Sequence, residues 1–216
     1  MKKIITISRE YRSGGLSIAK LLSEILNIPC YDRELIELAA QNSGLSAEFI
    51  KSNEQKITSG LMYNLLLSSS CSVPNGGGMT GGISTKPTLP LPDQVFNAQR
   101  TVIQELVKKG PCIVVGRCAD YTLKHCEDIN KEELLNVFIY APFEDRVKRC
   151  MEQDNVDRST AEKTIKQVDK HRANHYSTFT EQTWGNREYY DLLINSSLLG
   201  IDATARFIAD IAKQAL

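Results

Sequence analysis

Short β-branched runs alternate along the chain with longer segments in which apolar residues return every three or four positions. Residues 3–8, Lys-Ile-Ile-Thr-Ile-Ser, predict a buried strand. Ile18, Leu21, Leu22, Ile25 and Leu26 then recur at helical spacing up to about Asn27. Ser13-Gly14-Gly15 lies between them, so the chain opens as strand, glycine turn and helix. Residues 28–31 predict a second short strand, and Asp32 follows as a candidate N-cap for a helix carrying Leu35, Ile36, Leu38 and Ala39.

Residues 45–67 predict an amphipathic helix. The pattern then stops: 68–93 is rich in Gly, Ser and Pro and reads as a long loop, either functional or a floppy insertion. Helical spacing returns over 94–109, and 112–116 predicts a third strand ending in Gly116-Arg117. Residues 134–140 predict a fourth strand. A charged helix opened by Pro142 runs to Gln153. A longer one runs from Ser159 to about Thr178, with Ser159 and Glu162 in capping-box register. Residues 190–195 predict a fifth strand and 202–215 a last amphipathic helix. Strands alternating with helices imply an α/β domain with a parallel sheet covered on both faces. In such sheets ligands bind beyond the carboxyl ends of the strands. Ser8, Tyr31-Asp32, Gly116-Arg117, Tyr140 and Asn195 stand there.

A length of 216 residues suits one domain. Lys+Arg and Asp+Glu each number 26, which argues against a general nucleic-acid binder. Nothing approaches a membrane span, and the start turns polar at Ser8, too soon for a secretory leader. A cytoplasmic protein with no membrane partner is expected, its oligomeric state open. The six cysteines form no C-x-x-C pair and read as reduced thiols. Cys118, His125 and Cys126 match no common zinc spacing.

A strand, a glycine turn and a helix start make an anion site, because free backbone N–H groups and the helix dipole both favour negative charge. Ser13, Gly14, Gly15, Leu16 and Ser17 are the candidate phosphate-binding residues. The Walker pattern G-x-x-x-x-G-K-[ST] is not met: Arg9 stands at its first glycine and Gly15 at its lysine. The nearest cations are Arg9, Arg12 and Lys20. Arg12, inside the loop, is the expected replacement for the lysine.

Several blocks resemble the cytidylate-kinase-like family: Ile-Thr-Ile-Ser-Arg-Glu-Tyr-x-Ser-Gly-Gly at 5–15, Ile28-Pro-x-Tyr-Asp-x-Glu-Leu-Ile36, Val114-Val-Gly-Arg-x-Ala-Asp-Tyr121, Val137 to Arg149, and Val168-Asp-Lys-x-Arg-Ala-x-x-Tyr176 with Trp184-Gly and Tyr190-Asp-Leu-x-x-Asn195 after it. The resemblance implies a P-loop NTPase three-layer sandwich with a five-stranded parallel sheet. It implies an acceptor-binding helical region over 32–110 and a lid over 144–185. It also implies transfer of the ATP γ-phosphoryl to a nucleoside monophosphate such as CMP, with Mg²⁺. The family loop usually has glycine at position 12 and arginine at position 16, where this chain has Arg12 and Leu16.

By the same resemblance, Ser17 and Asp32 are candidate Mg²⁺ residues, and Asp32, Arg33 and Arg117 candidate acceptor contacts. Arg117 corresponds to an arginine that grips the acceptor phosphate, although the family's flanking aspartates are replaced by Val115 and Cys118. Arg172 sits where the family carries its lid arginine, and with Arg12 and Arg117 makes the catalytic set. Arg146 and Arg149 are expected to pair on a solvated helix with Glu144 and Asp145. His171 and His175 read as surface histidines. Tyr176, Trp184 and Tyr190 are candidates for base stacking or for packing. Two other readings stay open: a kinase for another small molecule, and a nucleotide-binding regulator with little turnover.

Overall fold

The computed structural model describes residues 2–32, 34–43, 48 and 91–214. The helix expected over 45–67 falls, apart from Glu48, outside the described residues. So do positions 68–90 of the expected loop, and Arg33.

The first strand, β1 (Ile4–Arg9), leads through a glycine turn into α1 (Gly15–Leu26). Then come β2 (Cys30–Tyr31), α2 (Glu34–Ser43), α3 (Leu91–Lys108), β3 (Cys112–Val115), α4 (Ala119–Lys124) and β4 (Leu134–Tyr140). The chain continues through α5 (Phe143–Asp154), α6 (Arg158–Thr180), β5 (Leu192–Asn195), the short α7 (Ser196–Leu199) and α8 (Ile201–Gln214). The sheet has five strands in the order β2-β3-β1-β4-β5, with every pairing parallel.

Strand residues alternate between two helical layers, as the period of two requires. Ile5, Ile7, Ile113, Val115, Val137 and Ile139 pack on Ile18 and Leu22 of α1 and Ile208 of α8. Ile4, Cys112, Val114 and Leu134 pack on Leu35 of α2 and Val102 and Ile103 of α3. Helices α5 and α6 pair through Val147, Cys150, Ala161 and Ile165, with Tyr11 of the loop against them.

Some expected boundaries move. Residues 91–93, expected in the loop, open α3. Pro92 has the φ a first turn needs, and Asp93 faces the positive end of the dipole. Helix α6 is capped by Asp157, not Ser159: the Asp157 carboxylate accepts the Thr160 N–H at 3.0 Å, while Glu162 pairs with Arg158. The Asp32 N–H donates to the Glu34 carboxylate at 3.1 Å, and the Asp32 carboxylate faces Arg9.

Candidate active site

Helix α1 starts where the sequence places it. Gly14 is left-handed (φ 84°) and its carbonyl accepts the Ile18 N–H at 2.9 Å. The N–H groups of the first helical turn therefore face the loop, as an anion site requires. Ser13 is buried; its hydroxyl donates to Glu10 O at 2.9 Å, and its carbonyl accepts from the Ser196 hydroxyl at 2.5 Å. Leu16 is half-buried and Ser17 exposed at the helix start.

The strand-end residue Arg9 runs across this turn. A Cβ placed on Gly15 would lie 2.6 Å from Arg9 Cβ, and one on Gly116 would lie 2.1 Å from Arg9 Nη1. The side chain thus passes from β1 over the start of α1 to the end of β3. At its tip Nη2 faces Asp32 Oδ1 at 3.4 Å. The positive ends of both glycine turns and the strand ends β1, β2 and β3 meet at this one guanidinium.

Helices α5 and α6 hold the loop from behind. Arg146 is buried and does not pair with Glu144 or Asp145 as expected. Its Nε lies 3.3 Å from the Glu10 carboxylate and donates to Ala141 O at 3.1 Å, and its Nη1 pairs with Asp169 and donates to Tyr11 O. Burial dominates because position 146 faces the loop side of α5, whereas Glu144 is exposed and meets Arg158. Burial pushes the Glu10 carboxyl up, against the Ala141 N–H and Arg146, which favour its charged form. Arg149 also misses the acidic pair: it donates to Arg12 O at 3.4 Å and to the hydroxyls of Ser196 and Ser197 at 3.3 and 2.9 Å.

Arg12, expected over the phosphates, is held elsewhere. Its guanidinium donates to Gln153 at 2.6 Å and pairs with Asp154 at the end of α5, above the Tyr11 ring. Its backbone is left-handed (φ 60°).

Arg117 stands in a run of left-handed residues: Gly116, Arg117 and Cys118 have φ of 73°, 58° and 52°. Such backbone costs of order 1–3 kcal/mol per non-glycine residue and collects at functional sites. Arg172 reaches in from α6, donating to Arg9 O at 3.0 Å with its guanidinium over Tyr11. Burial depresses the Arg172 pKa; Asp169 and Asp32 oppose that shift and Arg117 adds to it. Asp32, Arg117 and Arg172 are therefore gathered around Arg9 at the carboxyl ends of the strands. His175, expected at the surface, is half-buried against Phe179; burial, and then Arg117, push its pKa down to about 4.

Behind Arg117 the Asp120 carboxyl is buried and accepts from Tyr176 Oη at 2.7 Å. Burial raises its pKa despite that bond. Tyr176 and Tyr190 are buried, and Tyr190 and Trp184 pack on Phe138, so these aromatics serve packing. Among the described residues no group of three or more His, Cys, Asp or Glu is placed to hold a metal. Asp32 is a hard oxygen donor at the strand end. Together with phosphate oxygens it suits Mg²⁺, which keeps few protein ligands.

The sequence singled out Arg117, Arg172, Asp32 and the loop 13–17, and the structure brings them to one place. It did not single out Asp169, the loop-holding roles of Arg146 and Arg149, or Asp120. Asp169 and Asp120 stand in blocks that carry the resemblance, but their roles do not show there, because the partners lie 23, 56 and 158 positions away. No helix among the described residues is long and apolar enough to cross a membrane.

A parallel sheet in this order, with a glycine turn between its central strand and first helix, defines an α/β fold of the P-loop kinase type. The chain belongs to the cytidylate kinase-like family, whose family model matches residues 4–198. In fold it is similar to an uncharacterized protein from Eubacterium ventriosum ATCC 27560, at TM-score 0.66 and 23% identity over 98% of each chain. It is also similar to shikimate kinase from Bacteroides thetaiotaomicron, at TM-score 0.50 and 9% identity over 97% of this chain and 98% of that one. No curated protein matches the chain.

Proposed function

We propose that the protein is an ATP-dependent phosphotransferase whose acceptor is a nucleoside monophosphate such as CMP. The observation that carries the reading is the meeting of the 13–17 turn with Arg117 and Arg172 at the strand ends. Phosphoryl transfer needs positioning and charge neutralisation more than covalent help. The amides at the start of α1 would cradle the ATP phosphates. Arg172, held over Arg9 and Tyr11, would face the transferring group. Arg117 would grip the acceptor phosphate, whose oxygen attacks the γ-phosphorus as the bond to the bridging oxygen breaks and ADP leaves. Mg²⁺, when bound, neutralises charge on the β- and γ-phosphates, and Asp32 and Ser17 are the residues to hold it.

The missing lysine at Gly15 favours a second reading, a nucleotide-binding regulator with little turnover. Thermal shift against ATP and the nucleoside monophosphates, followed by ADP release in a coupled assay, separates the two. Stabilisation by ATP with ADP formed only when an acceptor is present supports the kinase. Stabilisation with no transfer to any nucleoside monophosphate supports the regulator.

A further inference from the structure

We infer that Tyr176 is a positioning residue: bonded to Asp120, it fixes the spacing between the Arg117 turn and the Arg172 turn of α6, so that acceptor phosphate and transferring group are held toward each other. The roles of the two arginines rest on the kinase reading; the tie between their elements does not.

Arg117 follows β3 and Arg172 stands on α6, and like charges do not hold themselves together. Burial is the main cause of the low Arg172 pKa, and Arg117 lowers it further, so the two guanidiniums oppose one another. Something else must set their distance before phosphate lies between them. Tyr176 joins the two elements. It stands four residues after Arg172, one turn along the same face of α6. Its ring packs in one buried cluster with Cys118, the residue after Arg117. Its hydroxyl donates at 2.7 Å to Asp120 Oδ2, three residues after Arg117. Asp120 is 2% exposed and Tyr176 3%, so water does not compete for the bond.

The path from this bond to each arginine is short and stiff. On α6 it is a single helical turn. On the other side Arg117 and Cys118 are both left-handed, the Ala119 N–H donates to Gly116 O at 3.1 Å, and the Thr122 N–H donates to Cys118 O at 2.8 Å. His175, next to Tyr176, feels burial first and then the Arg117 charge, so this turn of α6 lies close to Arg117. Burial opposes the Asp120 charge, and apolar residues could fill the same space without that cost. What the hydrogen bond adds to packing is direction.

A tie that only stabilises the fold would lower the unfolding temperature and leave the chemistry of the folded protein alone. Tyr176→Phe keeps the ring and removes the hydroxyl. With ATP and CMP, well below its unfolding midpoint, it should lose about tenfold or more in kcat while both KM values stay within about twofold, since each ligand keeps its own arginine. Asp120→Ala should lose as much, and the double variant no more than either single. Asp120→Asn, whose amide oxygen can still accept the tyrosine proton, should recover most of what Asp120→Ala loses. Calorimetry of CMP with and without the non-hydrolysable β,γ-imido analogue of ATP gives a reading that needs no turnover. In wild type the analogue should tighten CMP by about fivefold or more; Tyr176→Phe should bind each ligand alone as wild type does and lose the tightening.

If wild type turns CMP over and Tyr176→Phe matches it in kcat and in coupling, the inference is overturned and the kinase reading stands. A loss confined to the KM for CMP, or Asp120→Asn as slow as Asp120→Ala, overturns it as well. If wild type transfers nothing to any nucleoside monophosphate but shows a coupling that Tyr176→Phe loses, the kinase reading fails and the tie stands. Neither transfer nor coupling in wild type removes both.

Discussion

Asp169 and Arg146 pair beneath the loop, and between them they hold both backbone groups of Tyr11: Asp169 Oδ1 accepts its N–H at 2.7 Å, and Arg146 Nη1 donates to its carbonyl at 3.4 Å. The pair therefore joins α5, α6 and the phosphate loop. Because Arg146 is buried and Asp169 nearly so, removing one partner leaves an uncompensated charge. Arg146→Met or Asp169→Ala should each cost about 3–5 kcal/mol in urea unfolding. The double variant should cost well under their sum. A loss below about 1 kcal/mol for either single change, the range of exposed pairs, would show that the pair is solvated.

Arg117→Ala should weaken acceptor binding far more than ATP binding. The residue sits past β3 in a left-handed run whose strain is worth keeping only if its side chain is used. Loss of one charge-assisted contact costs about 1.5–3 kcal/mol. Equal losses for nucleoside monophosphate and ATP, measured by calorimetry, would remove Arg117 from the acceptor side.

Two groups whose charged forms burial disfavours, the half-buried His175 and the buried Asp120, should bend the pH dependence of stability in opposite senses. His175 has a folded pKa of about 4, below its ordinary value, because burial and Arg117 oppose its charge. As pH falls below about 6.5 the unfolded chain takes up that proton first, so stability is lost down to about 4 and is full above 6.5. Asp120 is raised by burial. The folded state then holds its proton longer, so this group costs stability as pH rises from its ordinary value through the folded one. Each contributes up to about 1.4 kcal/mol per pH unit inside its window. In denaturant titrations from pH 4 to 8, His175→Gln should flatten the acid loss. Asp120→Asn should remove the opposing slope. Curves parallel to wild type would show that neither group titrates differently on folding.

The period of hydrophobic positions revealed every described strand and the longer described helices but not the short α4 and α7, because buried β-branched runs and amphipathic helices of several turns leave local signals. The phosphate turn was legible for the same reason: Gly14 and Gly15 sit between a strand and a helix. Arg117 and Asp32 were legible as polar residues at strand ends. The support of the loop was not. Arg146 shares its helix turn with Glu144 and Asp145, so local charge pointed to a surface pair, while burial sent it to Glu10 and Asp169. Arg9 was visible only as a cation at the wrong Walker position. Its path across Gly15 and Gly116 depends on β1 and β3 being neighbours, which no local pattern shows.

The last prediction concerns Arg12, the loop's own arginine. Its side chain makes an exposed pair with Asp154 and a bond to Gln153, together worth about 0–1 kcal/mol on the scale of surface ion pairs. Its backbone is left-handed, which costs a non-glycine residue roughly 1–2 kcal/mol. Arg12→Gly removes both terms and adds about 0.5–1 kcal/mol of unfolded-chain entropy. These terms nearly cancel, so stability should stay within about 1 kcal/mol of wild type. ATP affinity and turnover should change little, since the guanidinium faces α5 and not the helix start. Leu16→Arg places a cation at the second residue of α1, where the dipole opposes it but bound phosphate favours it. It should raise ATP affinity at a small cost in stability. The two variants are compared with wild type by ATP calorimetry and by ADP release in the presence of CMP. A loss of about tenfold or more in Arg12→Gly, equal to about 1.4 kcal/mol, with the fold intact by circular dichroism, would return Arg12 to the phosphates.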